Sequence, residues 1–193
     1  MSGVCGVVLA AGAGTRYGSP KALAHTDSGE PWVARAVAAL AAGGCAPLFV
    51  ALGADLTAAE LVPGEAAVIV VEHWADGLSA SVRAGLAAAA GTEAHAALLV
   101  PVDTPDMPSA VVARLAVGAD DGALRRAVYH GQPGHPVVVG RQHWAELAAA
   151  VTGDRGAGAY LAAHGADEVE CADLWDGADI DAPGRRPPAA TPG

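Results

Sequence analysis

An α/β fold, a mostly parallel sheet with helices on both faces, is predicted by three observations. Short apolar runs alternate with alanine-rich, helix-favouring stretches along the chain. Those stretches end at glycines, as Gly43-Gly44 and Gly91 do. The first apolar run, Val4 to Ala11, leads directly into a glycine-rich turn at Gly12 and Gly14, where such sheets place ligands.

In chain order, Val4 to Ala11 reads as a buried strand and residues 24–31 as polar and turn-like. Pro31 to Ala42 reads as a helix, with proline tolerated in its first turn and alanine favouring its interior. Pro47 to Leu52 and Val68 to Val71 are strand-like. Ser79 to Ala90 reads as a helix, Ala96 to Val102 as a fourth buried strand, and Ser109 to Val117 as a helix with a serine cap. Val128 and Val137 to Val139 mark later strands, and Gln142 to Val151 and Gly156 to Ala163 later helices. Residues 1–182 read as a single domain, since 193 residues suit one full-sized core. The tail from Pro183, rich in Pro, Ala and Gly, is expected to be disordered.

Composition narrows the function. Net charge is −10, which disfavours a polyanionic partner such as nucleic acid or a membrane surface. An anionic small molecule must then be held by local cations, loop amides and a metal ion. No apolar run is long enough to span a membrane, and no signal-type segment opens the chain, so a cytoplasmic protein is expected. Cys5, Cys45 and Cys171 lie far apart and read as small buried hydrophobes.

The first loop carries the clearest chemistry. Gly12 and Gly14 allow close backbone approach, successive amides form an anion-binding concavity, and Arg16 and Lys21 add cations. Pro20 stiffens the chain just before Lys21. The spacing is neither that of the Walker loop nor that of the dinucleotide fingerprint, because Gly14 is one residue too far from Gly18. At the end of the fourth strand, Val100-Pro-Val-Asp-Thr-Pro-Asp-Met-Pro108 offers Asp103 as a hard oxygen ligand for Mg²⁺ opposite that loop. Asp106 reads as a turn and helix-entry residue.

These residues carry a resemblance. Leu9, Ala10, Ala11, Gly12, Gly14, Arg16, Gly18, Pro20 and Lys21 match the L-A-A-G-x-G-x-R-M-G-x-P-K signature of MobA-like nucleotidyltransferases, with Tyr17 in place of methionine. Gly77, Leu78, Ser79, Ser81, Arg83, Gly85 and Leu86 resemble the G-L-S-x-S-x-R-x-G-L segment of the family's molybdopterin cytidylyltransferase branch. Gly134-His-Pro-Val137 and Gly153-Asp-Arg-Gly-Ala157 are similar to two later segments, although the branch's arginine is Gly158 here. Asp179-Ile-Asp181 resembles a D-I-D-T-P segment, without the usual E-D-L continuation.

The resemblance implies a three-layer α/β/α, Rossmann-like nucleotidyltransferase fold. It implies transfer of a nucleotide monophosphate, CMP from CTP, onto a phosphorylated acceptor such as molybdopterin, with release of pyrophosphate. Arg16, Lys21 and Asp103 would be catalytic. Leu9, Ala10, Ala11, Gly12, Gly14, Lys21, Ser79 and Ser81 would bind the nucleotide, and His135 would line the acceptor pocket. Asp103 and one of Asp179 and Asp181, assigned as Asp181, would hold Mg²⁺. Ala11, where the guanylyl branch has glycine, is expected to crowd a purine with its Cβ. Two other classes stay open: an NAD(P)-dependent enzyme of the nicotine blue oxidoreductase type, with Asp55 as its one acidic candidate after the second strand, and a catalytically silent nucleotide-binding partner of a molybdoenzyme.

Overall fold

The computed structural model describes residues 3–181. Its strands are β1 (Val4–Leu9), β2 (Leu48–Leu52), β3 (Ala66–Val70), β4 (Ala96–Pro101), β5 (Leu124–Tyr129), β6 (Gln132–Gly140) and β7 (Asp167–Glu170). They form one sheet in the order β3-β2-β1-β4-β6-β5-β7. Only β6 runs against its neighbours; every other pairing is parallel. The helices are α1 (Trp32–Ala42), α2 (Leu78–Ala90), α3 (Ser109–Ala116), α4 (Trp144–Ala150) and α5 (Gly158–Ala163).

Side chains along a strand point alternately to the two faces, so β1 and β4 serve two cores at once. Val4, Val8, Leu98 and Val100 pack with α1 and α3. Cys5, Val7, Leu9, Ala97 and Leu99 pack with α2, α4 and α5. This two-sided burial is why these runs carry no polar alternation. Small residues bring the layers close: a Cβ on Gly85 of α2 would lie 2.7 Å from Val7 Cγ1 of β1. Burial pushes the Cys5 thiol up to about 11 and the Cys45 thiol up to about 12, so both remain inert apolar filler.

Several elements differ from expectation. β5 and β6 form a hairpin closed by His130-Gly131, both at positive φ, which matches the twist of adjoining strands. The isolated valines Val128 and Val137 to Val139 mark only its buried core. β7 reads Asp-Glu-Val-Glu and is mostly exposed, so apolar patterning gave no sign of it. Leu78 begins α2 and Ser109 begins α3, with Gly77 and Pro108 at the cap positions; neither serine caps its helix. Pro31 likewise occupies the cap position of α1. Gln142 to Val151 divides into a single 3₁₀ turn at Arg141–His143 and the shorter α4. The tail from Pro183 lies outside the described residues. Among the described residues no helix is long and apolar enough to cross a membrane.

Candidate active site

β1 and β4 are adjacent and parallel, so their carboxyl ends open at the same place. The segments that follow them face each other across a crevice of about 570 Å³. The loop after β1 supplies one wall. Gly14 takes φ +63°, and its carbonyl accepts from the Gly18 amide at 2.8 Å. A Cβ there would collide with the Ser19 carbonyl, whereas one on Gly12 would meet nothing. Gly14→Ala is therefore expected to lose about 1–3 kcal/mol of stability through backbone strain, before its collision with Ser19 is counted. Gly12→Ala should keep its melting temperature and lose ligand affinity. Thermal unfolding and nucleotide binding on both variants would separate the two glycines. Tyr17, in the methionine position of the signature, packs its ring 5.3 Å from that of Trp32.

Across the crevice stand the carboxylates. Pro20 leads into a 3₁₀ turn at Lys21–Leu23. Lys21 Nζ donates to Asp103 Oδ2 at 2.8 Å and to Asp181 Oδ1 at 3.3 Å. Burial opposes the lysine's charge, but these two partners outweigh it and raise its pKa. Oxygen atoms of Asp103, Asp179 and Asp181 all lie within 4.8 Å of one another. The Asp179–Asp181 segment is pinned there by the Ile180 amide, which donates to the Asp103 carbonyl at 2.9 Å. Asp106 faces away, 3.6 Å from Arg35. Arg16 is exposed at the crevice and makes no ion pair among the described residues.

The third wall is the start of α2. Ser81 borders the crevice while only 4% exposed. Ser79 does not border it. It is fully buried, its amide donates to the Gly153 carbonyl, and its Oγ accepts from Arg83, which also donates to the Val151 carbonyl. The expected direct contact of Ser79 with a nucleotide is corrected accordingly: Ser79 fastens the Gly153 loop beneath the wall. That loop presents Asp154 to the crevice beside Gly77, whose φ of +90° and close approach to Gly153 leave no room for a side chain.

His135 lines the crevice from β6. Desolvation of its ring among the crevice walls lowers its pKa, against the opposing pull of Asp103 and Asp179. Leu9, Ala10, Gly12 and Gly14 border the crevice. Ala11 borders it too, but is 2% exposed and packs into a small cluster with Ala51, Val71 and Ala80. Its methyl group therefore fills the core, and the expected direct crowding of a purine by that methyl is corrected. Asp55 spends its Oδ1 on the amide and hydroxyl of Thr57 and does not line the crevice. Trp74 and Asp154 are crevice residues that the residue pattern alone did not single out. Trp74 lies just before the G-L-S segment, and a tryptophan in a chain with few aromatics, at the edge of a matched segment, was the available signal.

The family model of the MobA-like NTP transferase domain matches residues 6–169. A nicotine blue oxidoreductase from Paenarthrobacter nicotinovorans is 36% identical, the alignment covering 92% of each chain. A molybdenum cofactor guanylyltransferase from Rhodobacter capsulatus is 34% identical over 73% of this chain and 65% of its own. Among solved structures, Rv0371c from Mycobacterium tuberculosis H37Rv superposes with a TM-score of 0.73 at 26% identity, covering 93% of both chains. A complex of Rv0371c with manganese superposes with a TM-score of 0.65 at 24% identity, covering 86% of this chain and 87% of its own.

Proposed function

The chain belongs to the MobA-like NTP transferase domain family, and from that premise we propose a Mg²⁺-dependent cytidylyltransferase acting on a phosphorylated acceptor such as molybdopterin. The observation that carries this reading is the meeting of two opposed sets of groups. The glycine-rich loop with Arg16 shares one crevice with Asp103, Asp179 and Asp181, and Lys21 bridges the two sets through its bonds to Asp103 and Asp181. An acceptor phosphate oxygen attacks the α-phosphorus of the nucleotide, the bond to the β-phosphate oxygen breaks, and pyrophosphate leaves. A phosphate monoester is already ionised near neutral pH, so no general base is needed. Catalysis is positioning and charge stabilisation. Amides around Gly12 and Gly14 hold phosphate oxygens, and Arg16 and Lys21 counter charge that builds on the leaving pyrophosphate. His135 is the residue assigned to the acceptor pocket.

The three carboxylates fit a hard divalent cation: all are oxygen donors, and they converge from two segments. Bound there, the ion would supply charge neutralisation for the triphosphate. Nucleoside triphosphates are a cytoplasmic pool, and the reading places the enzyme there.

Base choice rests on the branch signature, Ala11 together with Pro20, and no longer on crowding by the Ala11 methyl. Ser81 and Trp74 offer a hydroxyl and an indole to the base. The test is pyrophosphate release from each of the four nucleoside triphosphates, with molybdopterin and with sugar phosphates as acceptors. CTP is expected to exceed GTP in kcat/KM by roughly tenfold or more, the range that one pocket contact supplies. A preference for GTP would overturn the base assignment and leave the transferase standing.

A second reading, a pyridine-nucleotide oxidoreductase, is favoured by the 36% identity to the nicotine blue enzyme. Against it, none of the acidic residues lining the crevice comes from the segment after β2, where a ribose ligand would stand. Oxidation of NADPH or NADH by the purified protein with a quinonoid dye, in the absence of any nucleoside triphosphate, would establish it instead.

A further inference from the structure

We propose that Tyr129 is a positioning residue that sets both ends of the acceptor side, the His135 backbone and the strap bearing Asp179 and Asp181; the proposal rests on the transferase reading above. Tyr129 is the last residue of β5, 5% exposed and outside the crevice lining. Its hydroxyl donates to the His135 carbonyl at 2.7 Å. One face of its ring lies so close to Gly134 that a Cβ there would stand 2.8 Å from Cδ2 and Cε2. On the strap, Gly177 at φ +77° is packed against the same ring and leaves no room for a side chain. Trp175 meets that ring edge-on, with centroids 5.4 Å apart. One phenol thus touches the backbone at His135 and the strap four residues before Asp181.

The start of the strap is fastened separately, and Tyr129 seats its middle, Trp175 and Gly177. The Glu170 carboxylate accepts from the amides of His130, Gly131, Cys171 and Ala172, tying the β5–β6 turn to the strap's first residues. Beyond Trp175, the bond from the Ile180 amide to the Asp103 carbonyl is the next fixed point. Between these, the seating of Gly177 and Trp175 on Tyr129 sets how the strap approaches the Ile180 bond, on either side of which stand Asp179 and Asp181. Burial raises the pKa of the Tyr129 hydroxyl, so it remains a donor at any ordinary pH.

The two functions of the residue separate by variant. Tyr129→Phe keeps the ring and removes the hydroxyl. Trp175→Ala removes the strap's edge contact from the partly exposed side and spares the hairpin. The probe is Mn²⁺ alone, its binding followed by electron paramagnetic resonance on the full chain without nucleotide, alongside thermal unfolding and steady-state kinetics. Tyr129→Phe is expected to bind Mn²⁺ as the parent does, with acceptor KM raised about three- to tenfold and kcat little changed. Trp175→Ala is expected to weaken Mn²⁺ at least about tenfold, the scale on which second-layer contacts act on metal ligands, with acceptor KM unchanged. Parental Mn²⁺ affinity in Trp175→Ala, or an unchanged acceptor KM in Tyr129→Phe, would overturn the proposal, and a fall in melting temperature alone would mark Tyr129 as a packing residue. If no nucleotide turnover is found in the parent, the transferase reading fails while the Mn²⁺ arm still decides whether the strap depends on this ring.

Discussion

Replacing Lys21 with alanine is expected to lower nucleotide turnover by about a hundredfold or more, with the protein still folded. Removal of one oriented charge from a transition state costs roughly 3 kcal/mol, which is on that scale. Lys21 is well placed for such an effect. Its side chain is only 15% exposed, it is presented from a proline-stiffened turn, and its ammonium lies in the crevice among the carboxylates. The fold does not depend on it, since the strap keeps the bond from Ile180 to Asp103. Without the ammonium, Asp103 and Asp181 lose their internal counter-ion, so Mn²⁺ binding in the absence of nucleotide should be retained or tightened. Steady-state kinetics and Mn²⁺ titration on one preparation check both parts. Near-parental turnover would remove Lys21 from the phosphate-binding machinery.

The second large effect is expected at Asp103. Asp103→Asn preserves size and some hydrogen bonding but removes the charge that a hard cation requires, so divalent-dependent turnover should fall by about a hundredfold or more. The comparison variant is Asp106→Asn. Asp106 stands three residues on, but its side chain meets Arg35 on α1 rather than the crevice. Arg35 has other partners in the Pro105 carbonyl and Glu30, so its loss there should change turnover by no more than about threefold and stability by well under 1 kcal/mol, as for an exposed ion pair. Circular dichroism and melting temperature verify the fold of both. Equal losses in the two variants would show that the ligand assignment at the end of β4 is wrong.

The residues that proved legible in the sequence are those whose neighbours in the chain explain them. Val4 to Ala11 is buried on both faces, and that leaves an unbroken apolar run followed by Gly12 and Gly14. Asp103 follows directly from a strand that had to end there. Asp179 and Asp181 were named from a resemblance, and the structure brings both to Asp103. The misread residues are those decided by distant partners. Ser79 has the chemistry of a cap, but the Gly153 carbonyl and Arg83 claim it from far along the chain. The direction of the Ala11 methyl depends on the cluster formed by β2, α2 and Val71. β7 is a mostly exposed acidic edge strand held by its pairing with β5 and by the single apolar contact of Val169 with the core, which no local pattern records.

The contact of Gly85 with Val7 has a consequence for binding. With no side chain on Gly85, the middle of α2 seats directly on the Val7 side chain of β1, which draws the helix close to the strand that leads into the first loop. On the transferase reading, close seating of this kind would leave little ordering entropy to be lost when a nucleotide enters. On that reading, that side would sort candidates by size and shape as a rigid gauge, before any closure takes place.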